Sequence, residues 1–176
     1  MARAGSWVLA AAVVGAVAFA LWTGQSIPDP IGRGSVAPAF MLPERPGPGE
    51  IELASLRGQV ALVNFWATWC APCEQEMPAM QRLHEALGPE GLRLLAVSVD
   101  DSSDAVDRFR ERLGLSFPIL WDPERRVADE YQAHRFPETL LIDRDGIVVE
   151  RYIGPREWDA PLYQARLRRL LAGEDG

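Results

Sequence analysis

The two cysteines of the 176-residue chain, Cys70 and Cys73, are separated by two residues and are the side chains best suited to covalent chemistry. A disulfide between them would close a very short loop, which stabilises a fold little by the loop-entropy argument. A structural metal site needs about four ligands, yet there is no second cysteine pair and the two histidines are remote in sequence. The pair therefore predicts reversible thiol–disulfide exchange more strongly than an inert disulfide or a metal site.

The predicted elements around the pair favour this chemistry. Residues 60–66 form an apolar run interrupted only by Asn64, which predicts a central strand covered on both faces. A helix is predicted over residues 71–87, so Cys70 lies at its N-terminus, where unpaired N–H groups and the helix dipole favour a thiolate. Because the thiolate is the attacking species, Cys70 is the predicted nucleophile, and the shielded Cys73 is the predicted resolving cysteine.

The remaining pattern predicts an α/β domain over residues 39–173, with a central mixed sheet flanked by helices and an N-terminal hairpin extension. Composition is that of an ordinary globular protein, with 48% apolar and 24% charged residues. The net charge of −7 argues against a nucleic-acid partner, which would need a basic face. Further strands are predicted near residues 40–42, 50–53, 92–99, 117–120, 139–143 and 147–152, and further helices near residues 103–113, 125–131 and 158–171.

The N-terminal segment predicts export. Residues 7–22 are uncharged and mostly apolar, Arg3 precedes them, and no basic residue follows until Arg33, which places the rest of the chain outside the cytoplasm by the positive-inside rule. Residues 1–23 are therefore predicted to be a signal anchor forming one transmembrane helix. A cleaved signal peptide remains an alternative, because small-x-small cleavage patterns lie near the end of the run. Residues 24–38, rich in glycine and proline, are the predicted linker.

The sequence F-W-A-T-W-C-A-P-C over residues 65–73 resembles the active site of the thioredoxin superfamily, and the resemblance extends over roughly residues 38–171. Three features resemble its TlpA-like branch, which includes the ResA and CcmG (DsbE) reductases of cytochrome c maturation. They are the predicted anchor, the run C-E-Q-E-M-P over residues 73–78, and F-P-E-T over residues 136–139. The resemblance implies a thioredoxin-like fold, a redox-active disulfide and a thiol–disulfide oxidoreductase that needs no cofactor, because both electrons reside in the thiols.

The resemblance also indicates which residue serves as the acid–base group. Ordinary thioredoxins carry a buried aspartate where this chain has Asn64, which cannot transfer a proton. The nearest candidate is Glu76, one turn beyond Cys73 on the same helix, and the resemblance implies that its counterpart tunes pKa values. Burial would raise the pKa of Glu76 and let the carboxyl group exchange protons near neutrality.

Four residues are candidates for substrate binding. The resemblance implies that the bond before Pro137 is cis and faces the disulfide, and that the backbone of Phe136 contacts an extended client peptide. Glu138 lies beside this loop, and the family glutamate there lies near the active site. Trp69 is expected to be partly exposed and to form part of a contact surface.

The function implied is a protein-disulfide reductase, anchored in the inner (cytoplasmic) membrane with its catalytic domain on the periplasmic side. Its partners would be exported proteins with disulfides, apocytochrome c first and copper-site assembly proteins second, and a membrane electron donor of the CcdA or DsbD type. A thiol peroxidase is an alternative, but Thr68 lies only two residues before Cys70 and no suitable proline precedes it. A redox-inert client-binding module is a second alternative, against which the intact cysteine pair argues.

Overall fold

A computed structural model describes residues 12–15, 19 and 30–174 of the chain. The chain divides into two compact units, Met1–Pro30 and Ile31–Gly176. In the first unit, residues 12–15 and 19 are helical and exposed, and the rest of the predicted anchor lies outside the described residues. Across the described ranges, no helix combines the length and apolar character needed to cross a membrane.

The second unit is built on a seven-stranded mixed sheet, as the sequence predicted. Its strands are β1 (Met41–Arg45), β2 (Glu50–Glu52), β3 (Val60–Trp66), β4 (Leu92–Ser98), β5 (Ile119–Trp121), β6 (Glu138–Ile142) and β7 (Val148–Ile153). They lie in the order β2-β1-β5-β4-β3-β6-β7. β3 and β5 are parallel to β4, and every other pairing is antiparallel. β3 is buried along its whole length, as expected for a strand in the middle of a covered sheet.

The predicted N-terminal hairpin is confirmed and is longer than expected. β1 and β2 pair antiparallel, but β1 continues to Arg45, whereas the first strand was predicted near residues 40–42. The cause is a second pairing, in which Glu44 and Arg45 lie opposite Leu120 and Ile119 of β5. This pairing joins the hairpin to the sheet.

Four α-helices complete the domain: α1 (Ala71–Leu87), α2 (Ser103–Leu113), α3 (Arg126–Glu130) and α4 (Pro161–Ala172), with a short 3-10 helix at Leu53–Leu56 that the sequence did not predict. The bounds of α1 and α2 are those predicted. Ser102 caps α2 by accepting a hydrogen bond from the Ala105 N–H at 3.3 Å, and Gly114 ends it in the left-handed conformation. α4 starts three residues later than predicted, at Pro161, a residue suited to the first turn of a helix.

The end of the predicted linker contacts the domain. The Gly34 N–H donates to the Val148 carbonyl at 2.8 Å, and the Val148 N–H donates to the Ser35 carbonyl at 2.9 Å. Ala37 is buried and its N–H donates to the Gly146 carbonyl at 2.9 Å. These bonds place the segment beside the start of β7, so packing of the domain begins before residue 39.

The core fixes the relation between β3 and α1. The inward side of α1 contributes Met77, Met80, Leu83 and Leu87, all fully buried. Burying one such side chain contributes about 1.5–3 kcal/mol. With strand and helix both held by the core, the short connection between Trp66 and Ala71 has a fixed position at the carboxyl end of β3.

Candidate active site

Cys70 and Cys73 form a disulfide at the start of α1. Cys70 is the N-cap residue, and its sulfur accepts a hydrogen bond from the Cys73 N–H at 3.3 Å. Cys70 keeps 7% of its surface exposed, whereas Cys73 has none. The helix N-terminus favours negative charge on the sulfur that it faces, so the capping geometry and the remaining exposure both favour Cys70 over Cys73 as the attacking residue.

The loop before Cys70 is held by a buried carboxylate that sequence analysis missed. Asp100 accepts hydrogen bonds from the Thr68 N–H at 2.9 Å, from the Thr68 hydroxyl at 2.6 Å and from the Ser98 hydroxyl at 2.7 Å. The indole N–H of Trp121 donates to the Asp100 carbonyl at 2.7 Å. A usable signal existed, because Asp100 follows β4, and the carboxyl ends of neighbouring parallel strands meet at one edge.

Glu76 is buried, with 2% of its surface exposed, and both of its carboxylate oxygens accept hydrogen bonds. Oε1 accepts from Asn64 Nδ2 at 2.8 Å, and Oε2 accepts from the Arg156 N–H at 3.1 Å and from the indole N–H of Trp158 at 3.2 Å. Burial raises the pKa of Glu76 from 4.5 to about 7, although these donors act in the opposite direction. The predicted burial of Glu76 and the predicted direction of its pKa are confirmed, and its predicted catalytic role stays a prediction.

Glu76 is one of the residues that line a pocket at the surface. A pocket of about 280 Å³ is lined by Gln75, Glu76, Pro155, Arg156 and Glu157. Arg156, whose N–H donates to Glu76 Oε2, also lines this pocket.

Asn64 connects Glu76 to the sheet. Its Nδ2 donates to Glu76 Oε1 and, at 2.9 Å, to Thr139 Oγ1, while its Oδ1 has no partner among the described residues. Rotation of the amide would exchange these atoms. Oδ1 would then accept from a protonated Glu76 and from the Thr139 hydroxyl, so Asn64 can hydrogen-bond both protonation states of the carboxyl group.

Trp69 and Phe136 bring the two predicted site loops together. The Phe136–Pro137 peptide bond is cis, as the resemblance implied. The ring centroids of Trp69 and Phe136 are 6.1 Å apart in an edge-to-face arrangement, while Trp69 remains 63% exposed. The loop that precedes Cys70 therefore contacts the proline loop, and the predicted exposure of Trp69 is confirmed. The predicted roles of both loops in substrate binding stay predictions.

Glu138 is buried beneath the proline loop. Its Oε1 accepts from the N–H groups of His134 and Arg135 at 3.0 and 2.6 Å, and its Oε2 accepts from Arg151 Nε and Nη2 at 3.0 and 2.5 Å. Arg151 also donates to three backbone carbonyls, those of Ile31, Tyr131 and Gln132. These contacts make Glu138 an internal support for the turn that carries Phe136, and its predicted role in substrate binding stays a prediction.

No cluster of three or more histidine, cysteine, aspartate or glutamate side chains able to hold a metal ion occurs within residues 12–15, 19 and 30–174. The site is instead a disulfide at a helix N-terminus, beside a cis-proline loop and above a buried carboxyl group. This site lies at the end of a strand in a mixed sheet. This combination defines a thioredoxin-like thiol–disulfide oxidoreductase.

Comparison with known proteins agrees with this class. Residues 33–151 match the profile of the AhpC/TSA family, and the chain belongs to this family. It is 38% identical over 141 residues to the thiol-disulfide oxidoreductase ResA of Bacillus thuringiensis (strain Al Hakam), covering 80% of this chain and 81% of the relative. It is also 38% identical over 126 residues to ResA of Bacillus subtilis (strain 168), covering 72% and 70%.

Solved structures agree as well. A putative thiol:disulfide interchange protein DsbE from Chlorobium tepidum superimposes with a TM-score of 0.69 at 28% identity, covering 82% of this chain and 98% of that one. StoA from Bacillus subtilis superimposes with a TM-score of 0.62 at 25% identity, covering 77% and 97%. The predicted thioredoxin-like fold, the predicted class of enzyme and the resemblance to ResA and DsbE are confirmed.

Proposed function

We propose that this protein is a protein-disulfide reductase that acts on exported clients through Cys70 and Cys73. The observation that carries the proposal is the asymmetry of the disulfide, in which Cys70 is the N-cap residue and keeps 7% of its surface exposed, whereas Cys73 is fully buried. In the reduced protein, the Cys70 thiolate attacks one sulfur of a client disulfide, which forms a mixed disulfide and releases the other client sulfur as a thiolate. The Cys73 thiolate then attacks the Cys70 sulfur and releases the second client thiolate, so two electrons pass to the client.

Glu76 is proposed to accept the proton of Cys73 before this second step. The two residues are three positions apart on α1 and therefore lie on the same side of the helix. Its pKa of about 7 lets the carboxylate take a proton near neutral pH. The pocket that borders Glu76 then returns this proton to solvent.

Apocytochrome c is the proposed first client, because the chain resembles ResA and CcmG (DsbE), reductases of cytochrome c maturation. Copper-site assembly proteins are the second. The apolar N-terminal run supports a location at the inner membrane, with the domain on the periplasmic side. A membrane electron donor of the CcdA or DsbD type is proposed to reduce the disulfide again. Tethering would raise the encounter rate with such a donor.

Trapping the mixed disulfide tests the proposal. Full-length protein with Cys73→Ser lacks the resolving thiol, so we expect it to accumulate a reductant-sensitive adduct with a peptide carrying an oxidised Cys-x-x-Cys-His segment. Cys70→Ser is the matched control and should accumulate none. Equal adducts with both variants, or none with either, would refute the assigned roles.

The reduction potential tests the direction of electron flow. Full-length protein is equilibrated in dithiothreitol or glutathione buffers, and its thiols are then alkylated. A value near that of thioredoxin, about −270 mV, agrees with a reductase, whereas a value near −120 mV would identify a strong oxidant and overturn the proposed direction.

A further inference from the structure

Three side chains from separate loops form one surface beside Cys70, the more exposed of the two cysteines. Trp69 immediately precedes Cys70, and Phe136 immediately precedes the cis-proline. The guanidinium carbon of Arg125 lies 5.8 Å from the ring centroid of each aromatic side chain. We call Trp69, Phe136 and Arg125 the arginine–aromatic platform. Sequence analysis assigned no role to Arg125.

The backbone holds Arg125 in this place. Arg125 has a φ of 57°, in the left-handed region that residues other than glycine seldom adopt. Its N–H donates to the Asp122 carbonyl at 3.0 Å. Asp122 is itself buried, and its Oδ2 accepts from the N–H groups of Val127 and Ala128 at 2.9 Å each. The buried Asp122 therefore fixes the turn from which Arg125 projects.

The charge of Arg125 is available to a ligand. Arg125 is exposed, and among the described residues no carboxylate lies within ion-pair distance of it. Stacking over aromatic rings occupies the face of a guanidinium group and leaves N–H donors at its edge, which suit a carboxylate. Within the part of the chain that the structure describes, six other arginines bind carboxylates, namely Arg45, Arg82, Arg112, Arg151, Arg166 and Arg168.

Charge complementarity indicates the ligand. The chain carries a net charge of −7, so its overall field disfavours acidic clients. A positive group beside the reacting sulfur would offset that repulsion locally for a client that places a carboxylate there, and would fix its orientation. The rings of Trp69 and Phe136, which lie next to the Arg125 guanidinium group, can contact the apolar parts of the client segment.

We propose that Arg125 determines client specificity by binding an aspartate or glutamate side chain close to the client disulfide, while the client segment lies over Trp69 and Phe136. This inference rests on the proposed function, because the client disulfide must reach Cys70. It adds a substrate class to that function: segments in which an acidic residue lies near the disulfide cysteine.

Peptide kinetics test the inference on reduced, full-length protein. Three peptides with the same intramolecular disulfide differ at one position near a cysteine, which is Glu, Gln or Arg. The second-order rate constants of their reduction are measured at low ionic strength. For the natural protein we expect the Glu peptide to react about fivefold faster than the Gln peptide, the size of an exposed ion pair of about 1 kcal/mol.

Substitutions then locate the source of this preference. Arg125→Gln should bring the ratio of the Glu and Gln rate constants close to one, and Arg125→Glu should make the Arg peptide react faster than the Glu peptide. Arg126→Gln is the matched control, because Arg126 is an exposed neighbour on α3 with no ring contact within the described region; it should keep the fivefold ratio. Reading a ratio within each variant separates specificity from any general loss of activity.

Two outcomes would overturn the assignment of Arg125: equal rates for all three peptides with the natural protein, or a Glu preference that survives both Arg125 substitutions. Loss of the preference in Arg126→Gln would also overturn it, by showing an unspecific effect of charge. If the natural protein reduces none of the peptides, the reductase proposal itself fails, whereas equal reduction of all three leaves the reductase intact.

Discussion

Replacing Glu76 by glutamine should remove a loss of stability that we expect the natural protein to undergo between pH 5 and 8. Burial raises the pKa of this carboxyl group from 4.5 to about 7 in the folded state. Between these values the folded protein keeps a proton that the unfolded chain has released, so stability falls as pH rises. At about 1.4 kcal/mol for each pH unit, the loss amounts to roughly 3 kcal/mol and is nearly complete by pH 8.

Glutamine can replace the carboxyl group with little change in packing. Its carbonyl oxygen can accept from the Arg156 N–H and the Trp158 indole, the two donors that face Glu76 Oε2. Its amide nitrogen needs an acceptor, which rotation of the Asn64 amide supplies through the Oδ1 atom that now lacks a partner in the described part of the chain. The Thr139 hydroxyl can then donate to the same oxygen.

The assay is equilibrium unfolding in urea of the full-length oxidised protein at pH 5, 6, 7 and 8, followed by tryptophan fluorescence. Keeping the disulfide intact removes cysteine titration. Burial lowers the pKa of His84, but its contribution is common to both proteins and cancels in their difference. The unfolding free energy of Glu76→Gln relative to the natural protein should increase by roughly 3 kcal/mol from pH 5 to pH 8.

A matched control lies on the same helix. The pKa of Glu74 is lowered by its hydrogen bond with Arg112, so its stabilising effect is lost only as pH falls toward its pKa and no loss arises from pH 5 to 8. Glu74→Gln should therefore follow the natural protein over this range. If Glu76→Gln and the natural protein give parallel profiles within about 1 kcal/mol, the raised pKa and the reasoning from burial are refuted.

Three further substitutions test the supports of the site. Trp158→Phe removes an N–H donor to Glu76 and should raise the pKa of that carboxyl group above about 7, by up to roughly one pH unit, as measured by infrared or NMR titration. Arg151→Leu leaves the buried Glu138 without its cation and should lower the unfolding free energy in urea by about 3–5 kcal/mol. Adding Glu138→Leu removes the unpaired charge and should recover only part of this loss, because the backbone groups that both side chains bind stay unpaired. Asp100→Ala leaves three donors unsatisfied and should cost about 1–3 kcal/mol, with faster amide hydrogen exchange in the loop before the disulfide.

For each of these three substitutions, one result would contradict the stated reasoning. Arg82→Gln breaks the more exposed ion pair with Asp159 and should change stability little, because exposed ion pairs contribute little, so an equal loss for Arg151→Leu would contradict the buried pair. An unchanged or lowered pKa in Trp158→Phe would contradict the assigned indole bond. Normal exchange in the loop of Asp100→Ala would show that Asp100 does not hold it.

Local sequence patterns were sufficient to predict the position of the reacting disulfide. An apolar strand followed at once by Cys-x-x-Cys and a helical period sets Cys70 at a helix N-terminus and Glu76 one turn beyond Cys73, because all of these relations span only a few residues. The bounds of α1 and α2 followed from the same short-range periodicity and end signals. The sheet was predicted to be mixed from the order of strands and helices, because that order follows directly from the sequence.

The surroundings of that centre depend on contacts between distant parts of the chain. Asp100 meets the loop before Cys70 because β4 lies parallel beside β3, and Trp158 reaches Glu76 from beyond β7. The extra length of β1 and the contact of Arg125 with two rings also arise from contacts between residues that are far apart in the sequence. Periodicity reports which face of an element is buried but not which element covers it, since that choice depends on sheet order and the packing of the whole core. The sequence by itself therefore determined the chemistry of the disulfide, and only the tertiary structure decided which groups surround it and which side chains form the surface beside it.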